Sequence, residues 1–283
     1  MTYEILKPET LQDAFGLLDT DDPMVRPFSG GTALMLMMKS GIFSPSRLVV
    51  LRDIPGLNGI RLEEDGSLWI GALTTLAELE KSDLVAQHAP VVTHALRHLS
   101  NRRVRNVARI GGALAHGDPH MDLPPLLSAL NAEVIVEGSN QGRRISVQDL
   151  VTGYYETSLE SNELIVAVRI PSQQSWQSAY RKFTARSADD WPALGVAVSL
   201  NASRNEIQDL RLVVGAATER PTRLEQSEGI LRQEGRSGLE RATEAAMASV
   251  EFMDDAHGSS QWKKALLRVE LRRAVQEILD RNT

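Results

Sequence analysis

The chain has 283 residues, of which 42% are hydrophobic and 24% charged, with a formal net charge of −6 and no cysteine. That length suits about two domains with an ample core, and the acidic balance argues against nucleic acid or an anionic membrane surface as partner. Without thiolates the chain can bind neither an iron–sulfur cluster nor a cysteine-type zinc ion, so any electron carrier it holds is organic.

Tyr3 to Lys7 alternates as a strand that Pro8 ends, and Thr10 caps a helix whose apolar face is Leu11, Ala14, Phe15 and Leu18. After a loop at 21–24, Val25 to Phe28 is a short apolar run that Pro27 restricts to an edge. Ser29-Gly30-Gly31-Thr32 separates it from a helix-favouring stretch, Leu34 to Lys39, which Gly41 stops. Bare N–H groups and two hydroxyls between strand and helix suit a pyrophosphate, although an ordinary capping turn has the same composition. Arg47 to Leu51 is the next strand, followed by the turn Asp53-Ile54-Pro55-Gly56. The order β-α-β-α-β predicts a small α/β subdomain.

From Gly59 the pattern changes. Ile60 to Glu63 and Leu68 to Gly71 flank Asp65-Gly66, a hairpin signal, and Thr74 or Thr75 caps a helix carrying Leu76, Ala77 and Leu79. Pro90 to Leu99 repeats at helical spacing. The basic run Arg97, Arg102, Arg103, Arg105 and Arg109 reads either as a rim for phosphate or an acidic partner, or as a solvated helix end. Arg109 stands apart because it borders the stretch Val107 to Pro125. That stretch contains Gly111-Gly112, a turn-forming Asp118-Pro119 step, and Asp122 as an N-cap ahead of Pro124 and Pro125. Adjacent glycines let backbone approach a ligand, as they also do in any tight turn. Neither pair fits the single Rossmann or Walker pattern, and His116 and His120 lack a carboxylate set at ligand spacing, so no metal is expected.

Leu123 to Leu130 reads as helix and Ala132 to Glu137 as strand. Arg144 to Leu150 is a strand end in which Ser146 caps a helical turn, and Leu164 to Ile170 is a strongly apolar strand closed by Pro171. A polar shift at Ser172 to Ser175 marks a domain boundary. Trp176 to Ala185, Ala193 to Leu200 and Ile207 to Val214 are strands, followed by helices over Thr222 to Arg232, Gly238 to Glu251 and Gln261 to Asp280. Trp191, beside Pro192 in a loop, calls for a partner for its ring. No apolar run reaches transmembrane length and Met1-Thr2-Tyr3-Glu4 lacks a basic signal-peptide start, so the expected compartment is the cytoplasm. No Ser/His/Asp constellation or other catalytic set emerges.

The two glycine segments and their flanks resemble the FAD-binding medium subunit of the molybdenum hydroxylases, the group of carbon monoxide dehydrogenase and xanthine dehydrogenase. Ser29 to Leu34 matches that family's first glycine loop, and Arg109 to Ala113 its second. Ala115 to Pro119, Asp122 to Pro124, Arg169 to Pro171 and Ala179 to Phe183 continue the likeness along the chain. The resemblance implies an α+β fold: a two-subdomain FAD-binding domain of the vanillyl-alcohol-oxidase-like (PCMH) type, then a three-stranded antiparallel sheet with a helical bundle. The corresponding segments are 1–55, 56–172 and 173–283. It implies FAD on this chain, molybdopterin on a large partner and [2Fe–2S] clusters on a small one, arranged as a dimer of heterotrimers.

By the same resemblance, Ser29, Gly30, Gly31, Thr32, Ala33 and Leu34 cradle the pyrophosphate. Arg109, Ile110, Gly111, Gly112 and Ala113 face the ring and ribityl chain, with Asp118 and Asp122 behind them orienting the cofactor. Ile165 lies against the flavin, Lys182 at its pyrimidine or ribityl edge, and Trp191 over one face. Two positions depart from the family: Arg109 stands where a Thr or Ser is usual, and Ala113 where Asn or Ser is usual. Each loses a side-chain hydrogen bond worth about 1 kcal/mol net, which a charge from Arg109 aimed at phosphate offsets. The function implied is electron transfer from partner clusters to an external acceptor. The alternatives are a free-standing FAD-dependent oxidoreductase and a non-catalytic structural subunit with a decayed flavin site.

Overall fold

The structure, a computed structural model, describes residues 3–18, 20–139, 142–203 and 206–281. Strands β1 (Glu4–Leu6), β2 (Val25–Phe28) and β3 (Arg47–Val50) form a parallel sheet in the order β1-β3-β2, with helices Leu11–Leu18 and Leu34–Lys39 as the crossovers. Pro27 is tolerated because β2 is an edge strand, where a missing N–H interrupts no ladder. Ala14, Phe15, Leu18, Val25 and Val49 close the core beneath this sheet.

The second sheet is antiparallel, in the order β4-β5-β10-β6-β7: β4 is Ile60–Leu62, β5 Leu68–Gly71, β6 Glu133–Glu137, β7 Gly142–Ser146 and β10 Leu164–Ile170. A minor hairpin, β8 (Val151–Gly153) with β9 (Glu156–Thr157), lies between β7 and β10. The β4–β5 turn closes with Gly66 at φ +78°, and the Asp65 carboxylate accepts the Ser67 N–H at 2.9 Å. Central β10 faces two cores at once: Leu164 and Val166 join the N-terminal core, Ile165 and Val168 the second. Thr75, not Thr74, caps the Leu76–Lys81 helix through a reciprocal capping box with Glu78.

The third sheet runs β11 (Gln177–Phe183), β12 (Leu194–Ser203), β13 (Glu206–Gly215), β14 (Thr222–Arg223). Three of these are the long antiparallel strands expected, and the fourth is two residues within a stretch that reads as helix. Pro221 precedes it, and the Leu224 N–H donates to the Leu212 carbonyl at 2.9 Å, so the chain stays extended until the helix begins at Glu225. Helices Glu225–Glu234, Leu239–Ser249 and Ser260–Arg281 cover one face, burying Leu231, Ala246, Leu267 and Ile278 against Leu210, Leu212 and Val214. The other face presents Tyr180, Ala197 and Val213 to the Leu123–Ala129 helix, sharing the second core. Among the described residues, no helix is long and apolar enough to cross a membrane.

Candidate functional site

The turn after β2 and the segment before the Ile110–Ala115 helix are brought into contact. A Cβ on Gly30 would lie 2.1 Å from the Val107 carbonyl oxygen, and one on Gly112 3.2 Å from Ser29 Oγ. Gly31 has φ +68°, a left-handed conformation that side-chain-bearing residues rarely adopt. Along this turn the backbone N–H groups of Gly30, Gly31, Thr32 and Ala33 meet no acceptor among the described residues. The hydroxyls of half-buried Ser29 and Thr32 are likewise without a protein partner there. A row of open donors at the end of a parallel strand is a surface for a polyanion.

The second segment differs from the expectation in two respects. Gly111 and Gly112 lie within the first turn of the Ile110–Ala115 helix rather than ahead of it. Gly111 answers a packing need: its Cβ would lie 2.6 Å from Ala72 Cβ, and its N–H donates to the Ala72 carbonyl at 2.9 Å. Ile110 is fully buried and Ala113 packs at the edge of the same core. Of the glycine pair, only the Gly112 N–H remains as a donor, as first-turn amides have no intrahelical acceptor. Arg109 does not present a free charge. Its guanidinium donates to the Leu73 carbonyl at 2.5 Å and lies 4.0 Å from Glu78. Burial lowers its pKa, partly opposed by Glu78 and reinforced by Arg52.

Asp122 heads the Leu123–Ala129 helix but makes no capping bond. Its buried carboxylate instead accepts the Tyr180 hydroxyl at 2.8 Å and the Lys182 ammonium at 3.1 Å. Lys182 Nζ also donates to the His98 carbonyl at 3.0 Å. Burial pushes the Asp122 carboxyl pKa up, against the pull of Lys182 and the Tyr180 hydroxyl. Lys182 and Tyr180 line an open cleft of about 490 Å³ with His94 and His98. Lys182→Met leaves Asp122 buried without its cation, and breaking such a pair costs about 3–5 kcal/mol. Urea denaturation is expected to show that loss at neutral pH and less of it in acid, where Asp122 protonates.

Asp118 belongs to a separate network. It accepts the Tyr155 hydroxyl at 2.9 Å and His120 Nδ1–H at 3.0 Å, and His120 Nε2–H reaches Asp255 at 2.9 Å. Asp255 in turn pairs with Lys263, which is wholly buried. Burial disfavours charge on His120, but the two carboxylates outweigh it and raise its pKa. Asp255 is held at about 2, burial being overcome by bonds from His120, Lys263 and the His257 N–H. Ile165 sits buried in β10, and Trp191 is 41% exposed, its ring without a stacking partner among the described residues.

The model for the FAD binding domain in molybdopterin dehydrogenase matches residues 1–173, and that for the CO dehydrogenase flavoprotein C-terminal domain matches residues 178–278. The chain belongs to the FAD-binding medium subunits of the molybdenum hydroxylases. It is 35% identical to the nicotine 6-hydroxylase medium subunit of Paenarthrobacter nicotinovorans, over 95% of each chain. It is 32% identical to the carbon monoxide dehydrogenase medium chain of Hydrogenophaga pseudoflava, over 96% of each. Its fold superposes with a TM-score of 0.94 on a chain of reconstituted CO dehydrogenase from Oligotropha carboxidovorans, at 30% identity and 99% coverage of both. As a member of this family it is an FAD-binding subunit of an oxidoreductase. The open donors at Gly30 to Ala33 fit the diphosphate of that cofactor.

Proposed function

We propose that this medium subunit holds FAD against its two glycine segments and passes electrons from partner [2Fe–2S] clusters to an external acceptor. The observation that carries the reading is the row of four unengaged N–H groups and two hydroxyls at 29–33, closed on one side by the second segment. FAD, when bound, supplies the exchange between one-electron and two-electron carriers. Ser29, Gly30, Gly31, Thr32 and Ala33 would bind its diphosphate, with Leu34 starting the helix behind them. Gly112 would offer a backbone donor to the remainder, while Ile110, Gly111 and Ala113 set the position of that turn. Arg109 would act through Leu73 and Glu78, fixing the strand end rather than touching phosphate.

Asp122 would hold Lys182 in place, and Lys182 would set positive charge beside the ring where negative charge develops on reduction. Ile165 and Trp191 would bound the ring, the exposed indole being free to turn over it. Asp118 would support the segment from behind through Tyr155 and His120. The reading includes three units, 1–55, 56–172 and 173–283, and a cytoplasmic dimer of heterotrimers with a large molybdopterin subunit and a small iron–sulfur subunit. The chain has no cysteine, so an iron–sulfur cluster in this relay would lie on a partner rather than on this subunit. Affinity purification of the tagged chain from its native cells tests the assembly. Two co-purifying subunits, with iron and molybdenum in the preparation, support it; a lone chain that oxidises a small molecule by itself contradicts it.

A further inference from the structure

An edge strand presents a row of unpaired N–H and C=O groups to any other chain, so folded proteins blunt or cover it. Among the described residues, the three larger sheets have six edge strands, and five carry a blunting feature. β1 and β4 are three residues long and β14 two, β2 contains Pro27, and β7 exposes Arg143 and Arg144. β11 is the exception: seven residues, Gln177–Phe183, with no proline or glycine. Its two cations do not guard the edge. Arg181 is held by Glu270 at 2.5 Å and Glu277 at 3.3 Å, and Lys182 by Asp122 and the His98 carbonyl.

β11 pairs with β12 from Gln177 opposite Leu200 to Phe183 opposite Leu194, and the Phe183 carbonyl accepts the Ala193 N–H at 2.8 Å. Phe183 thus turns its backbone toward β12, and alternation along an antiparallel strand turns that of Ser178, Tyr180 and Lys182 to the free edge. No group among the described residues bonds them there. This edge is the floor of the cleft of about 490 Å³, walled by the Pro90–Arg97 helix with His98 on one side and the Ser260–Arg281 helix on the other. A second copy of the chain has its own β11 recessed between the same two helices, so two such edges do not meet. A single extended segment does fit between the walls. The walls also favour an acidic one. The exposed rings of His94 and His98, centroids 5.4 Å apart, have no hydrogen-bond partner among the described residues, whereas Glu270 and Glu277 are taken by Arg181.

We propose that an extended, acidic segment of a partner subunit adds to β11 as a further strand. Its main chain pairs with Ser178, Tyr180 and Lys182, and a carboxylate on it reaches His94 or His98. This docking rests on the heteromeric assembly proposed above. Amide hydrogen exchange, resolved residue by residue, compares the chain alone with added FAD and the complex purified with its partners. In the complex, the Ser178, Tyr180 and Lys182 amides are expected to exchange at least about tenfold more slowly than in the free chain. Those of Ala179 and Arg181, turned to β12, are expected to be slow in both. Ser178→Pro removes one outward donor without touching the β12 ladder, and is expected to lose about tenfold of that protection at Tyr180 and Lys182. Ser178→Ala loses only the hydroxyl bond to Ser199 and is expected to keep it. Ser178→Cys introduces the chain's only thiol, and a photo-crosslinker on it is expected to capture a partner-subunit peptide containing Asp or Glu. A complex that contains both partners, yet leaves the three amides as fast as in the free chain, overturns the docking and leaves the assembly standing. Crosslinking to a second copy, or equal protection in Ser178→Pro and Ser178→Ala, also overturns it. A chain that assembles with no partner overturns both.

Discussion

Gly30→Val is expected to give a folded chain that retains almost no flavin. The added Cβ would stand 2.1 Å from the Val107 carbonyl oxygen, so backbone meets backbone and neither side can rotate away. Comfortable separation is about 3.5 Å, which requires the two glycine segments to part by roughly 1.4 Å. A displacement of that size carries the donors at Ser29 and Thr32 beyond hydrogen-bonding reach of an oxygen positioned by Gly112. Losing two bonds to a charged diphosphate at about 1.5 kcal/mol each weakens FAD binding by roughly 100-fold. Overpacking costs the apoprotein only about 1–3 kcal/mol, within what a domain of this size can lose. Gly16→Ala is the matched control: its Cβ meets nothing within 4 Å, on the Leu11–Leu18 helix, so full flavin content and slightly higher stability are expected. FAD released on denaturation, measured per chain, separates the two variants.

The second large effect is expected at His120, where Ala should destabilise the protein by about 3–5 kcal/mol and lower Tm by roughly 10 °C. The imidazolium joins Asp118 of the FAD-binding part to Asp255 of the C-terminal part; its removal breaks that link, leaving Asp118 with the Tyr155 hydroxyl and Asp255 with Lys263 and the His257 N–H. The pH dependence has a definite sign. Because the folded-state pKa of His120 is raised, its contribution is complete below the ordinary imidazole value of 6.5 and is lost as pH rises through the folded value. Asp255 behaves oppositely: its contribution is complete above 3.8 and is lost as pH falls toward about 2. Urea denaturation of wild type and His120→Ala is therefore expected to show the widest gap near pH 6 and convergence in alkali. A gap that stays constant or widens above neutrality would contradict the charged bridge.

Local chemistry made much of the fold legible. The β-α-β-α-β order, the Asp65-Gly66 hairpin, the Thr75 cap and the run of three long strands all follow from residues near one another in sequence. Local rules misled where a distant partner competed. Asp122 before two prolines has the composition of an N-cap, yet its carboxylate is claimed by Tyr180 and Lys182, 58 and 60 residues away. Thr222 resembles a helix start, but pairing of β14 with Val213 and Val214 holds it extended. Arg109 next to a glycine pair suggested a phosphate ligand, and the Leu73 carbonyl, 36 residues earlier, takes its guanidinium instead. The His120–Asp255 bridge spans 135 residues and the Gln148–Pro221 bond 73, so no window of sequence could reveal either. The glycine segments stand out in the sequence as candidate ligand-facing turns; that they touch each other, which decides why Gly30 is glycine, required the structure.

The most direct measurement is the visible absorption spectrum of the purified full chain, before and after incubation with FAD. The structure predicts flavin bands at about one FAD per chain, retained through desalting and released on denaturation. A colourless chain that takes up no FAD on reconstitution, while remaining folded by circular dichroism, would contradict a diphosphate cradle at Ser29 to Ala33.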